Sequence, residues 1–319
     1  MMERSKKGVA DPAGRAIKAF DRVLLREKPK IETALRSILP RQTTAPQDIH
    51  RAMHYMIFPG GKRLRPLMVL MAHRTFGGRH PKIYQAAGTV ELIHAFSLVH
   101  DDLPCMDDDD FRRGRPSCHR AFGEAKAVLA GDALLVQAFQ TLGSIGAASL
   151  GGPIVEAVAA AIGTTGVIGG QTLDLESEGK EISPRVLATI HARKTAALFV
   201  GCLQLGALLA KATPAQIHTV SAFGESFGLA FQVADDLLNL EGDFATLGRP
   251  RGTDLKHQKA TYPRILGQEK TYEHLRRMMR MAVNQTSDLG SWGEVYRGLV
   301  LKAARRVPGW TVRMERGIF

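Results

Sequence analysis

Apolar residues recur at intervals of three and four along almost the whole chain, which leaves little choice of fold. Between Ala86 and His100, Val90, Ile93 and Ser97 fall on one stripe, with Leu92, Phe96 and Val99 beside it. The same arithmetic predicts helices over Ala16–Leu39, Ala121–Leu142, Pro153–Gly169, Pro184–Ala210, Ala215–Leu240, Tyr272–Gln285 and Trp292–Arg306. Glycine and proline gather between them, at 58–61, 76–78, 151–153 and 248–252. There is no strand-turn-strand pattern, no repeat and no low-complexity linker. The expectation is an all-α fold, one domain over residues 1–319, with 1–10 a flexible end and 310–319 either a flexible end or a tail packed on the body.

The 319 residues are 45% hydrophobic and 23% charged, which excludes a disordered or collagen-like chain. A formal net charge of +12 suits anionic partners, among them phosphorylated metabolites. Residues 249–319 carry much of it, with 15 Lys/Arg against 6 Asp/Glu. Arg276, Arg277, Arg280, Arg305 and Arg306 read as solvated helix faces, because no aromatic interleaving or zinc spacing marks a nucleic-acid surface. Three scattered cysteines (Cys105, Cys118 and Cys202) point to a reducing compartment. The basic N-terminus lacks the apolar stretch of a secretory signal, and runs such as Ala157–Ile168 fall short of a bilayer span. The chain is therefore expected to be cytoplasmic, with no membrane span.

Chemistry concentrates at 100–110, where Asp101, Asp102 and Asp107–Asp110 place six carboxylates in ten residues directly after an apolar helix. Such a run repels itself unless cations sit within it, and hard divalent ions take carboxylate and phosphate oxygens. On an unbroken helix Asp107 would lie about 240° from Asp101. Pro104 forces a turn, and a loop can bring Asp107 back. A second acidic site lies at Asp235-Asp236, where Asp235, Asn239 and Asp243 share one helix face. Basic residues complete a clamp for a diphosphate. They are Lys62, Arg63 and Arg65 after the Gly60-Gly61 turn, Arg112-Arg113, His191 to Lys194, and the stretch from Arg249 to Lys259.

In these motifs and in their order, the sequence resembles the trans-prenyltransferases, the head-to-tail isoprenyl diphosphate synthases. The resemblance covers about 60–263. It rests on Gly61-Lys62-Arg63-Leu64-Arg65-Pro66, the DDxxxxD of Asp101, Asp102 and Asp107, and Arg112-Arg113. It continues through Gly169-Gly170-Gln171 with Asp174, Lys194-Thr195, and Phe231-Gln232 before Asp235. The resemblance implies a helical bundle around a deep central cavity, a homodimer, and isoprenyl diphosphates as small-molecule substrates. It implies Mg²⁺, three ions, on Asp101, Asp107 and Asp235, with Asp102 and Asp236 in support. Lys62, Arg65, His94 and Arg113 would hold isopentenyl diphosphate. Arg112, Lys194, Thr195, Gln232, Arg249 and Lys259 would hold the allylic diphosphate.

One departure stands out: the second motif usually ends in aspartate, and here that residue is Asn239. The expected effect is weaker metal binding, and the alternative is a weakly active or regulatory subunit. The Asp235/Asn239/Asp243 spacing is also similar to a terpene-cyclase triad, but those cyclases lack the 61–66 motif. Phe96, five residues before Asp101, lies about 7.5 Å further along the helix axis. In the family an aromatic here marks the bacterial farnesyl type, so farnesyl diphosphate is the expected product, with geranylgeranyl diphosphate as the alternative. Met53, Met56, Met68 and Met71 read as core.

Overall fold

A computed structural model describes residues 11–58, 60–146, 148–242, 259–315 and 318. Eleven helices precede residue 242: α1 (Pro12–Ile38), α2 (Gln47–Ile57), α3 (Leu64–Thr75), α4 (Ile83–Asp101), α5 (Cys118–Phe122), α6 (Glu124–Ile145), α7 (Ala148–Ile162), α8 (Val167–Ser177), α9 (Pro184–His191), α10 (Ala197–Leu209) and α11 (Pro214–Glu241). A π-helical turn, Ala192–Ala196, joins α9 to α10. After 259 come α12 (Tyr262–Leu266), α13 (Gln268–Asn284), a 3₁₀ segment (Gln285–Trp292), α14 (Gly293–Ala304) and α15 (Val312–Glu315). Asp243 and Arg249 lie outside the described residues, as do residues 1–10.

The helical period therefore holds, with local differences. A small antiparallel ribbon pairs β1 (Phe111–Arg112) with β2 (Arg115–Pro116), too short to leave an alternating pattern. The stretch expected as Pro153–Gly169 is two helices. Gly166 packs so tightly on Ala161 that an added Cβ would lie 2.1 Å from its carbonyl oxygen, and the chain breaks there. Caps written in sequence start α9 and α11. Thr213 and Gln216 form a reciprocal capping box with Pro214 in the first turn of α11, and Ser183 accepts from the Val186 amide at the start of α9.

One continuous apolar core joins these helices. Helix α4 is buried on nearly every side and packs against α6, α3 and α1, as a helix at the centre of a bundle must. All four methionines expected in the core are there. Of the two arrangements open to the tail, its described residues take the packed one. Trp310 and Ile318 are buried, and Arg305 grips Glu315 with two hydrogen bonds of 2.7 and 2.8 Å.

Three helical stretches, Glu124–Ile145, Leu150–Ser177 and Pro184–Leu209, are long and apolar enough to cross a membrane by length and composition. Counting uninterrupted apolar runs missed them, because small residues interrupt the runs without adding charge. Two of these stretches carry Asp174 and Lys194, which face the cavity described below.

Gly206 permits the closest contact between α10 and α3, for a Cβ there would sit 2.2 Å from the Val69 carbonyl oxygen. Gly206→Ala is expected to destabilise the protein by about 1–3 kcal/mol through forced separation of the two backbones. Urea unfolding checks this, and an unchanged midpoint contradicts it.

Candidate active site

The C-terminal ends of α4 and α11 open on a shared cavity of about 340 Å³. Its wall includes Asp101 and Asp107 from one side and Asp235 and Asp236 from the other, with Lys194, Lys259 and Arg112 among them. Helix α4 stops at Asp101, and the loop through Pro104 doubles back until the Asp107 amide donates to the Asp101 carbonyl at 2.8 Å. The turn thus brings back the carboxylate that a continuous helix would have pointed away.

Charge balance in this cavity is local. Arg112 grips Asp102 and reaches Asp109 at 3.1 Å. Lys259 pairs with Asp107 at 2.8 Å, and Lys194 with Asp174 at 2.6 Å. Burial raises the Asp107 carboxyl, but Lys194 and Lys259 outweigh it and bring it to about 2. Lys194 shows the converse: burial disfavours its charge, yet Asp174, Asp101 and Asp107 hold its pKa above the ordinary value. Asp101 keeps its burial penalty. Desolvation, with Asp107 adding to it, lifts this carboxyl to about 6 despite Lys194. Oxygen donors on two opposed walls, one of them poorly neutralised, fit hard divalent ions such as Mg²⁺.

Close backbone approach sets these positions. At Gly170 a Cβ would lie 2.2 Å from the Lys194 amide nitrogen, so α8 rests directly on the π-helical turn and Asp174 meets Lys194. This is the physical content of the glycine-glycine-glutamine motif. The amide atoms of Gln171, the next residue, are buried in the cavity wall without a partner. Thr195 donates to the Gln232 side-chain oxygen at 2.7 Å, and the Gln232 amide donates to Asp236 at 3.0 Å. The Tyr262 backbone amide, also at 3.0 Å, fixes the other oxygen of Asp236. Thr195 and Gln232 therefore orient the second acidic pair.

The Gly61–Pro66 motif divides its labour. Arg63, in the left-handed region at φ 53°, is only 1% exposed and serves the fold. It donates to Glu91 at 2.6 Å, to Glu32 at 2.8 Å and to the Ile57 carbonyl at 2.7 Å. Arg65 enters the cavity with His94 and Arg113, and its guanidinium lies 4.7 Å from the Phe199 ring centre. Lys62 lines a neighbouring apolar cavity of about 440 Å³ whose wall also contains Arg306.

Arg306 went unrecognised in sequence, where it looked like a solvated charge. It lines both cavities, donates to Asp235 at 2.8 Å, and lies 4.6 Å from the Phe231 ring centre. Glu91 and Asp174 are likewise given no role by the sequence, while His191, counted there among the cations of the clamp, is kept neutral by burial. Only the position of Asp174 within a motif could have signalled one. Four of the expected residues that are described are absent from the cavity wall: Lys62, which lines the neighbouring cavity; Asp102, buried against Arg112; Phe96, whose ring meets His100 edge-on at 5.0 Å; and Asn239, which is buried.

The sequence pattern of the polyprenyl synthetase family matches residues 46–298. The chain belongs to this family. It is 44% identical over 247 residues to the farnesyl diphosphate synthase of Escherichia coli, spanning 75% of this chain and 80% of that one. A heterodimeric geranylgeranyl pyrophosphate synthase large subunit of Arabidopsis thaliana is 42% identical over 263 residues, spanning 80% and 70%. Among solved structures, a Helicobacter pylori geranyltransferase complexed with magnesium and isoprenyl diphosphate superposes with a TM-score of 0.80 at 26% identity, covering 92% of this chain and 98% of that one. A Zymomonas mobilis FPP/GFPP synthase gives 0.76 at 31%, covering 90% and 98%.

Burial drives the His191 imidazole down to about 3, although Asp174 pulls the other way. An unfolded histidine titrates near 6.5. As pH falls below that value, the unfolded chain therefore takes up a proton that the folded protein refuses, and stability drops. In ¹⁵N NMR, His191 is expected to stay neutral from pH 8 to 5; a midpoint near 6.5 contradicts this.

Proposed function

We propose that this chain is a head-to-tail prenyltransferase that joins isopentenyl diphosphate to dimethylallyl or geranyl diphosphate and yields farnesyl diphosphate. The observation that carries the reading is one cavity lined by Asp101, Asp107 and Asp235 together with Arg112, Lys194 and Lys259. Its farnesyl diphosphate synthase relatives in Escherichia coli, Bacillus subtilis and Geobacillus stearothermophilus support the same activity.

In this reading Asp101, Asp107 and Asp235 hold magnesium ions, three by family resemblance, supported by Asp102 and Asp236. When bound, magnesium supplies the positive charge that makes the diphosphate a good leaving group. Lys194, Lys259 and Arg112 bind the oxygens of the departing diphosphate, and Arg249 belongs to the same set by resemblance. Lys62, Arg65, His94 and Arg113 bind the diphosphate of the isopentenyl partner. Burial, together with Arg65 and Arg113, holds His94 well below the usual histidine range, so it serves as a neutral hydrogen-bonding group. Cleavage of the allylic C–O bond leaves a carbocation, the isopentenyl double bond attacks it, and a proton is lost to the released diphosphate.

The active-enzyme reading is favoured over a regulatory subunit because Asn239 lies off the cavity wall. A homodimer fits the outer flank of α6, where Val128, Leu129 and Val136 are 39%, 55% and 65% exposed. We place the protein in the cytoplasm as a single catalytic domain without a membrane span. Three free cysteines suit a reducing compartment.

Incubation with isopentenyl and geranyl diphosphates and Mg²⁺, followed by chromatography of the dephosphorylated alcohols, is expected to give a C15 product. No product overturns the reading, and C20 moves it to the geranylgeranyl alternative. By family resemblance Phe96 limits chain length although its ring meets His100 off the cavity wall, so Phe96→Ala is expected to lengthen the product. A product that stays C15 removes Phe96 from chain-length control.

A further inference from the structure

Beyond Asp107 the acidic run continues into residues that the cavity does not use. Asp108 adopts φ 43°, a left-handed conformation that aspartate and asparagine tolerate better than most residues. Two residues on, the Asp110 carbonyl accepts from the Ser117 amide at 2.8 Å, across the mouth of the β1–β2 ribbon. The two ends of the segment 108–119 are thereby held together. One carboxylate oxygen each from Asp108 and Asp110 and one ring nitrogen of His119 lie within 4.8 Å of one another.

His119 makes this more than an acidic turn. The residue is only 5% exposed. Its Nδ1 lies 3.0 Å from the Ser117 hydroxyl, while Nε2 is buried with no hydrogen-bond partner. A buried polar atom left unpaired is costly, so the site is built to receive something there. A proton is a poor candidate, because burial and the adjacent Arg120 disfavour the imidazolium. Arg120 pairs with Oδ1 of Asp110, which leaves Oδ2 as a donor.

We propose that Asp108, Asp110 and His119 form a binding site for a first-row transition-metal dication of the Zn²⁺ class, separate from the magnesium cage. Two carboxylates and one imidazole make a mixed oxygen–nitrogen donor set, which suits such an ion and not Mg²⁺. The Ser117 hydroxyl, accepting from Nδ1–H, selects the tautomer that presents the Nε2 lone pair. This is the usual outer support of a metal-ligating histidine. Ligands about 2.1 Å from one tetrahedral ion lie about 3.4 Å apart, so donor atoms already within 4.8 Å of one another need only a small movement of the side chains to bind it. Asp110 is exposed, which leaves the remaining positions to water. The ion ties the two ends of the segment that carries Arg112 and Arg113, and so stabilises the folded form.

Calorimetric titration with Zn²⁺, at saturating Mg²⁺ and without diphosphate, tests this on the wild type, Asp101→Asn, His119→Gln and Asp108→Asn. Asparagine is at home in the left-handed region, so Asp108→Asn keeps the loop even if His119→Gln disturbs folding. The wild type and Asp101→Asn are expected to bind one Zn²⁺ with equal affinity. His119→Gln and Asp108→Asn should bind it at least about ten-fold more weakly. X-ray absorption at one equivalent should show a single imidazole ligand. The proposal is overturned if the wild type binds no Zn²⁺, or if the His119 and Asp108 variants bind it as tightly as the wild type. Loss of binding in Asp101→Asn also overturns it, since the ion then sits in the catalytic cage.

Discussion

Carboxylates crowded around one cavity can be buried only if positive charge is interleaved with them, and this constraint orders the centre of the molecule. Asp102 has Arg112, Asp107 has Lys259, Asp174 has Lys194, and Asp235 has Arg306. Each pair joins segments distant in sequence or drawn together across a turn, so neutralising the site also closes the bundle. Breaking one member of such a pair leaves a buried charge, which costs far more than the pair itself contributes. Asp101 shows what incomplete neutralisation does. With burial and Asp107 acting against it, its carboxyl rises to about 6. That elevated carboxyl marks the place in the lattice where further positive charge is most needed.

The cations already present also define how a diphosphate could enter. Lys194 and Lys259 are shared among acids, with Lys259 reaching both Asp107 and Asp174. A diphosphate carrying metal ions would offer anionic oxygens to the lysines while the ions met the acids, so neither set of charges would be left unpaired. Arg306 is the clearest case. It sits where a metal would contact Asp235, it keeps Nε and Nη1 unpartnered, and it belongs to the wall between two cavities. A guanidinium so placed can leave Asp235 for a second anion without crossing the protein.

Much of this was legible in the sequence because it depends on spacing along one helix or around one turn. The return of Asp107 to Asp101 follows from Pro104, and the start of α11 follows from Thr213 and Gln216. The family motifs located Lys194, Gln232 and Lys259. Legibility failed wherever the partner was remote. Nothing near residue 306 distinguishes an arginine that reaches Asp235 from one that points to water. Arg63 lies between Lys62 and Arg65, which the resemblance assigns to diphosphate, yet its guanidinium belongs to Glu91 and Glu32. Phe96 has the spacing of a cavity residue, but its ring packs on His100 one turn along and does not line the cavity. Periodicity also cannot see a break made by backbone contact, which is why α7 and α8 read as one helix.

The central claim is that acids on α4 and α11 share one metal cage. A crystal structure with Mn²⁺ and a non-hydrolysable bisphosphonate tests it most directly, through the anomalous signal of the ions. The account predicts manganese bound to Asp101 and Asp107 on one wall and to Asp235 on the other, with Arg306 moved off Asp235. Manganese on one wall only, with the Arg306–Asp235 pair intact, would contradict it.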